Sequence, residues 1–311
     1  MLDIIMDTLL DSVKLLPFLF LTYLAMELLE HKAGGRLLKK ISVVDKAGPF
    51  LGAVFGVVPQ CGFSAAASSL FAGRVITVGT LLAIYLSTSD EMLPILLSEA
   101  VPLPTILKIL GTKLLIAMIS GFLVELCLHR VLHRSDDEMD IHTVCEEEHC
   151  HCEDGVFVSA CKHTLRIFIY IMLISFVLNL LIELVGESTL AGFFSNVPLL
   201  GQMAAALVGL IPNCAASVVI TSLYVDGIIG AGMMMAGLLA NAGVGLLVLF
   251  RLNKNSRQNL EILCLLYVLA VVWGLLISLL GIQFLYPLSP ARLARRYQTD
   301  RIIQPLYSSS R

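Results

Sequence analysis

The chain alternates between long apolar runs and short polar or charged interruptions. A helix that crosses the hydrocarbon of a bilayer needs about 20 mostly apolar residues. Runs of that length occur at 13–30, 75–97, 104–130, 164–186, 228–250 and 260–286. Two more, 47–73 and 198–226, are apolar but interrupted in the middle, by Pro59-Gln60-Cys61-Gly62 and by Pro212-Asn213-Cys214-Ala215. Proline has no backbone donor and clashes with the preceding turn, so both stretches predict broken helices. The pattern as a whole predicts an all-α polytopic membrane protein.

The interrupted stretches match each other at a fixed offset of 153 without a gap. Gly56/Gly209, Pro59/Pro212, Cys61/Cys214, Ser64/Ser217, Ser69/Ser222 and Gly79/Gly232 are identical pairs, and Glu30/Glu183 keeps the same offset. Apolar composition alone does not align Pro, Cys and Ser together, so the match marks an internal repeat. Each half then reads as one span, one broken segment and two further spans. The loop 31–46 carries Lys32, Arg36, Lys39, Lys40 and Lys46, whereas its counterpart 187–197 carries no Lys or Arg. Likewise 251–259 carries Arg251, Lys254 and Arg257, and its counterpart 98–103 carries none. Basic loops favour the cytoplasmic side, so equivalent loops are expected on opposite faces, as in an inverted-topology repeat. That inversion requires an odd number of crossings per half. Either each broken segment is re-entrant, or it counts as two short helices and the chain crosses ten times. The tail, with Arg292, Arg295, Arg296 and Arg301, fits the first parsing poorly, and both are kept.

Composition strengthens the membrane reading. Hydrophobic residues make up 57% and charged residues 14%, with mean hydropathy +0.87. Soluble domains run nearer 45–50% and about 25%. This excludes a soluble enzyme, a disordered chain and a nucleic-acid binder. The net charge of −3 says nothing about partners. The expected organisation is an interfacial N-terminal helix at 1–12, retained because Asp3, Asp7 and Asp11 are unlike a cleavable leader. A first transmembrane repeat follows at 13–132, then an acidic linker at 133–163, a second repeat at 164–288 and a basic tail at 289–311.

Four groups of residues carry candidate chemistry. Beside each break an amide, a thiol and a hydroxyl follow in order, Gln60, Cys61 and Ser64 in one copy, Asn213, Cys214 and Ser217 in the other. Non-helical backbone at membrane depth survives only inside protein or along a watery cavity, and broken helices expose ends that coordinate ions. The alternative is a proline kink among small residues that pack tightly. The second group, Ser87-Thr88-Ser89-Asp90-Glu91, interrupts an otherwise apolar run and lies opposite Asn241. Asp90 and Glu91 are costly within a span and therefore functional candidates, unless the run ends at the interface and they lie in an external loop. Glu27, Lys108, Lys113, Glu125 and Glu183 read as interfacial groups, the lysines snorkelling from the end of their span. Met233-Met234-Met235 reads as core packing.

The fourth group is the linker, with His142, Cys145, His149, Cys150, His151, Cys152, Cys161 and His163. Four of the seven His and four of the eight Cys fall in these 22 residues, among Asp and Glu. Thiolate with imidazole suits zinc, copper and other soft or borderline metals. The spacing is not that of a zinc finger, so the tract reads as a flexible metal collector or sensor. There is no GxxxxGK[ST], so the chain carries no ATP-hydrolysing cassette, and nothing in it reads as an enzyme.

The paired Pro-Gln-Cys-Gly and Pro-Asn-Cys motifs, the repeat and the His/Cys-rich linker together resemble the ten-span heavy-metal exporters. These are distant relatives of the organoarsenical permeases, and some members are labelled manganese transporters. The resemblance covers residues 10–288 and implies a prokaryotic inner-membrane efflux protein. In the permease analogy Cys61 and Cys214 would hold a trivalent arsenical. Under the manganese label Gln60, Asn213, Asp90, Glu91 and Asn241 would supply oxygen donors. The expected function is a secondary exporter of a metal or metalloid ion, with no cofactor other than that ion as substrate or bound in the linker. The expected partners are that ion and the lipid bilayer, with no nucleic acid, and a homo-oligomer is left open. The alternatives are a transporter or channel for a small anion, and a membrane metal sensor.

Overall fold

The computed structural model describes residues 16–17, 20–21, 24, 38–58, 61–89, 92–131, 156–185 and 198–284. Every element among them is an α-helix. In chain order these are α1 (Leu38–Gly56), α2 (Cys61–Ala72), α3 (Val78–Ser87), α4 (Met92–Ser98) and α5 (Leu103–Val131), then α6 (Val156–Val185). The second series is α7 (Pro198–Gly209), α8 (Cys214–Val225), α9 (Ala231–Ala240), α10 (Gly245–Leu252) and α11 (Ser256–Leu279). Among the described residues, four stretches are long and apolar enough to span a bilayer, as an integral membrane protein requires: Val78–Ser98, Leu103–Cys127, Ala231–Leu252 and Ser256–Leu279.

The bounds repeat at the offset found in the sequence. Helices α2, α3, α4 and α5 begin 153 residues before α8, α9, α10 and α11, and α1 ends 153 before α7. Packing repeats as well: α1, α3 and α5 form one group of mutual neighbours, and α7, α9 and α11 form the other. Close approach is made possible by small residues, the usual device of helix contacts in lipid. Gly48, Gly52 and Gly56 follow one another at every fourth position on α1 and face Thr80, Ile84 and Ser87 of α3. On α7 the same register holds Gly201, Ala205 and Gly209, against Met233 and Gly237 of α9. Gly79 meets Gly121 between α3 and α5, and Gly232 meets Gly274 between α9 and α11.

Burial separates centre from periphery. The apolar windows of Val78–Ser98 and Ala231–Leu252 are 75% and 83% buried, against 39% and 33% for Leu103–Cys127 and Ser256–Leu279. The outer helices present Leu107, Leu115, Leu123, Leu260 and Val268 outward, as lipid contact demands. One apolar core runs through both halves. A second cluster joins Ala65 of α2, Ile167 and Ile171 of α6, and Val244, Val248 and Leu252 of α10.

Several sequence expectations change. The runs 75–97 and 228–250 are not continuous helices: each is broken, at 88–89 and at 241–244. Each half therefore holds two broken segments and not one. The charged loop 31–46 is helix from Leu38 onward, because Lys39, Lys40 and Lys46 fall within α1. The linker ends earlier than 163, since α6 begins at Val156 and takes in Cys161 and His163. The expected N-terminal helix 1–12, the tail 289–311 and the linker up to 155 lie outside the described residues.

Candidate functional site

The second half shows how a break is built. Asn213, with extended backbone, caps α8, and its side-chain oxygen accepts from the Ala215 amide at 3.4 Å. An Asn cap answers one of the amides that a helix start leaves without a partner. Pro212 precedes the cap, where a missing donor costs nothing. From that point a polar stripe runs along α8 at every fourth position, Asn213, Ser217 and Thr221, all buried. The first half carries the equivalent stripe on α2, where Ser64 and Ser68 are fully buried. Spacing by four keeps each stripe on one helical face.

Ser68 joins three elements. Its Oγ lies 2.7 Å from the Ser64 carbonyl, the Tyr85 hydroxyl of α3 and the Gly245 carbonyl of α10. A hydroxyl has one proton to give, so Ser68 donates to one carbonyl at a time while Tyr85 donates to it. Gly245 sits against Ser64 so closely that a β-carbon would lie 2.8 Å from the Ser64 carbonyl oxygen. The α2 stripe therefore faces the start of α10 in the other half, and α8 packs correspondingly on α4. Thr221 is the counterpart of Ser68, but its Oγ1 has no hydrogen-bond partner although fully buried.

The two central breaks are also polar and buried. At the end of α3, Ser87, Thr88 and Ser89 are almost wholly enclosed. The Thr88 hydroxyl donates back to the Ile84 carbonyl at 2.8 Å and closes the last turn. At the end of α9, Asn241 is 3% exposed and its side-chain oxygen accepts from the Gly243 amide at 3.0 Å. Gly243 has φ 54, a left-handed conformation that glycine adopts without strain. Residues 87–89 are thus enclosed by the surrounding helices.

Lys113 lies at this centre. It is fully buried in α5, and its Nζ donates to the Thr88 carbonyl at the end of α3 and, at 3.2 Å, to the Leu238 carbonyl of α9. The expectation of a snorkelling Lys113 is thus overturned: its position along α5 brings it level with the breaks, and the neighbouring helices close over it. Lys108, by contrast, is exposed. Glu125 accepts from the Gly79 amide at 3.2 Å, at the start of α3. Met234 and Met235 are fully buried and pack the core, as expected.

Nearby, the Trp273 indole donates to Ser120 Oγ at 2.8 Å. Positions 120 and 273 are themselves equivalent under the offset of 153.

The expected site residues fall into three sets. Ser64, Asn213, Ser217 and Asn241 are buried at the breaks. Cys61 and Cys214 open α2 and α8, their side chains lying outside the description. Gln60, Asp90 and Glu91 lie outside the described residues, as do His142, Cys145, His149, Cys150, His151 and Cys152. Cys161 is exposed on α6, and His163 is described in backbone only. The principal partner of α2 in the other half is α10 and not α8, so the two Pro-amide-Cys motifs are joined through the second pair of broken segments. Sequence reasoning missed Ser68, Thr221, Tyr85 and Lys113. The first two were accessible, because both continue a spacing of four and recur at the repeat offset.

These features define an integral membrane protein of two similar helical halves, with polar breaks enclosed at their junction. Comparison of the chain with protein-family models, curated proteins and solved structures gives no match, so the functional reading rests on the chain's own geometry.

Proposed function

We propose that the chain is a secondary transporter, working by alternating access around the enclosed polar junction between its halves. The observation that carries this reading is the buried polar break, present in both central segments and lined by hydroxyl and amide groups. Polar groups at such depth are costly in lipid and are retained where a solute must pass. The opposite charge bias of equivalent loops, taken with the Ser120–Trp273 contact, supports an inverted relation of the halves, each rocking against the other.

For the substrate we propose a metal or metalloid ion exported across a prokaryotic inner membrane, and a metalloid before a divalent metal. The described lining is of hydroxyls, amides and one buried ammonium. A divalent cation would draw its affinity from Asp90 and Glu91. A trivalent arsenic hydroxide is uncharged and would draw its affinity from the thiols of Cys61 and Cys214. The 142–163 tract then serves to meet metal before transport. The test is uptake by inverted membrane vesicles across Mn²⁺, Zn²⁺, Cd²⁺ and trivalent arsenic, with and without a proton gradient. Selective arsenic uptake that vanishes in Cys61→Ala with Cys214→Ala is the expected result. Arsenic uptake that survives the double change refutes thiol coordination, and failure of the whole panel refutes export of these ions.

A second reading, a carrier of small anions, is favoured by the N-termini of α2 and α8, which begin at Cys61 and Cys214 just after the two proline motifs. It predicts that inorganic anions are taken up by the same vesicles with no metal dependence.

A further inference from the structure

Lys113 fills a place that a free ion fills elsewhere. The last carbonyls of a helix have no amide four residues on, and they carry the negative end of its dipole. Here Thr88 at the end of α3 and Leu238 in the last turn of α9 offer two such carbonyls, one from each half, to the same Nζ. Ends of discontinuous helices arranged in this way are the places where secondary transporters hold small monovalent cations. The position equivalent to Lys113 is Leu266, fully buried and apolar, so one half alone supplies the charge. A tethered ammonium has three donors and a single positive charge. It also arrives without the loss of freedom that a dissolved ion undergoes.

We propose that the carbonyl cluster at the ends of α3 and α9 is a monovalent-cation site, which this chain occupies permanently with its own Lys113 ammonium. The protein therefore needs no dissolved cation to hold its two halves together at the breaks. Removal of the side chain opens the site to Na⁺, K⁺ or NH₄⁺. This inference does not depend on the identity of any transported solute.

The experiment compares wild type and Lys113→Ala, purified in detergent as the full chain, by thermal unfolding. Each is measured in chloride salts of Na⁺, K⁺, NH₄⁺ and choline at matched ionic strength, so that screening is constant. In choline the variant should unfold about 5 °C or more below wild type. One of the small cations should recover at least half of that loss, saturating with concentration, while wild type stays flat across the panel. A variant that responds to no cation more than to choline, or only as wild type does, overturns the proposal. If Lys113→Ala yields no folded protein in any salt, Lys113→Ser decides in the same panel: recovery by one small cation beyond choline sustains the proposal, and no such recovery overturns it.

Discussion

Gly209 is the sharpest test of the packing between α7 and α9. A β-carbon added there would lie 2.1 Å from the Gly237 carbonyl oxygen, 2.9 Å from its carbon and 3.1 Å from its α-carbon. All three are backbone atoms, so no side chain can swing aside. Ordinary contact requires the two helices to part by roughly 1 Å, along an interface that also seats Gly201 against Met233. Overpacking of this kind costs about 1–3 kcal/mol, and the backbone obstacle puts Gly209→Ala at the upper end. Against it stands a gain in helix propensity of about 1 kcal/mol. The net expectation is a loss of about 2 kcal/mol, or roughly 5 °C in unfolding temperature for a chain of this class. Gly111 supplies the control: it lies within α5, and an added β-carbon meets nothing within 4 Å. Gly111→Ala should therefore keep the propensity gain and rise by about 2 °C. Both are measured by thermal unfolding of the purified protein in one detergent. Gly209→Ala at or above wild type, with Gly111→Ala behaving as stated, would refute the close helix contact.

Substitutions at three further positions test the breaks. Thr221→Val removes a buried hydroxyl without a partner and keeps the shape, so unfolding stability should rise by about 1 kcal/mol. Its counterpart Ser68→Ala removes a hydroxyl that joins three elements and should lower stability by about 2 kcal/mol; equal effects at the two positions would contradict the hydrogen-bond assignment. Asn213→Ala loses the cap of α8 and about 1 kcal/mol, whereas Asn213→Ser keeps a neutral capping oxygen and should retain stability, and a loss of transport in both would show that the amide itself meets the solute.

The apolar periodicity, the two proline breaks and the offset of 153 were legible in the sequence, because each depends on local chemistry. An apolar run of 20 residues has few places to go but lipid, and proline breaks a helix wherever it falls. The starts of α2 and α8 could be read at Cys61 and Cys214 for that reason. The breaks at 88–89 and 241–244 were less legible. Pro94 falls in the first turn of α4, but no proline marks the second break, and Ser, Thr and Asn end a helix only where their side chains turn back on the backbone, as Thr88 and Asn241 do.

What tertiary structure alone decided is which polar groups share an environment. Nothing in the spacing of Lys113 separates a snorkelling lysine from a buried one, because that depends on whether neighbouring helices cover it. Only the folded chain brings the ends of α3 and α9 to its ammonium. The meeting of α2 with α10 is equally non-local: the Ser68 hydroxyl reaches a carbonyl 177 residues away. The sequence alone therefore determined that the chain is a helical membrane protein with a repeat and broken segments. The fold decided where those segments meet, because contact between distant residues follows from packing and not from pattern.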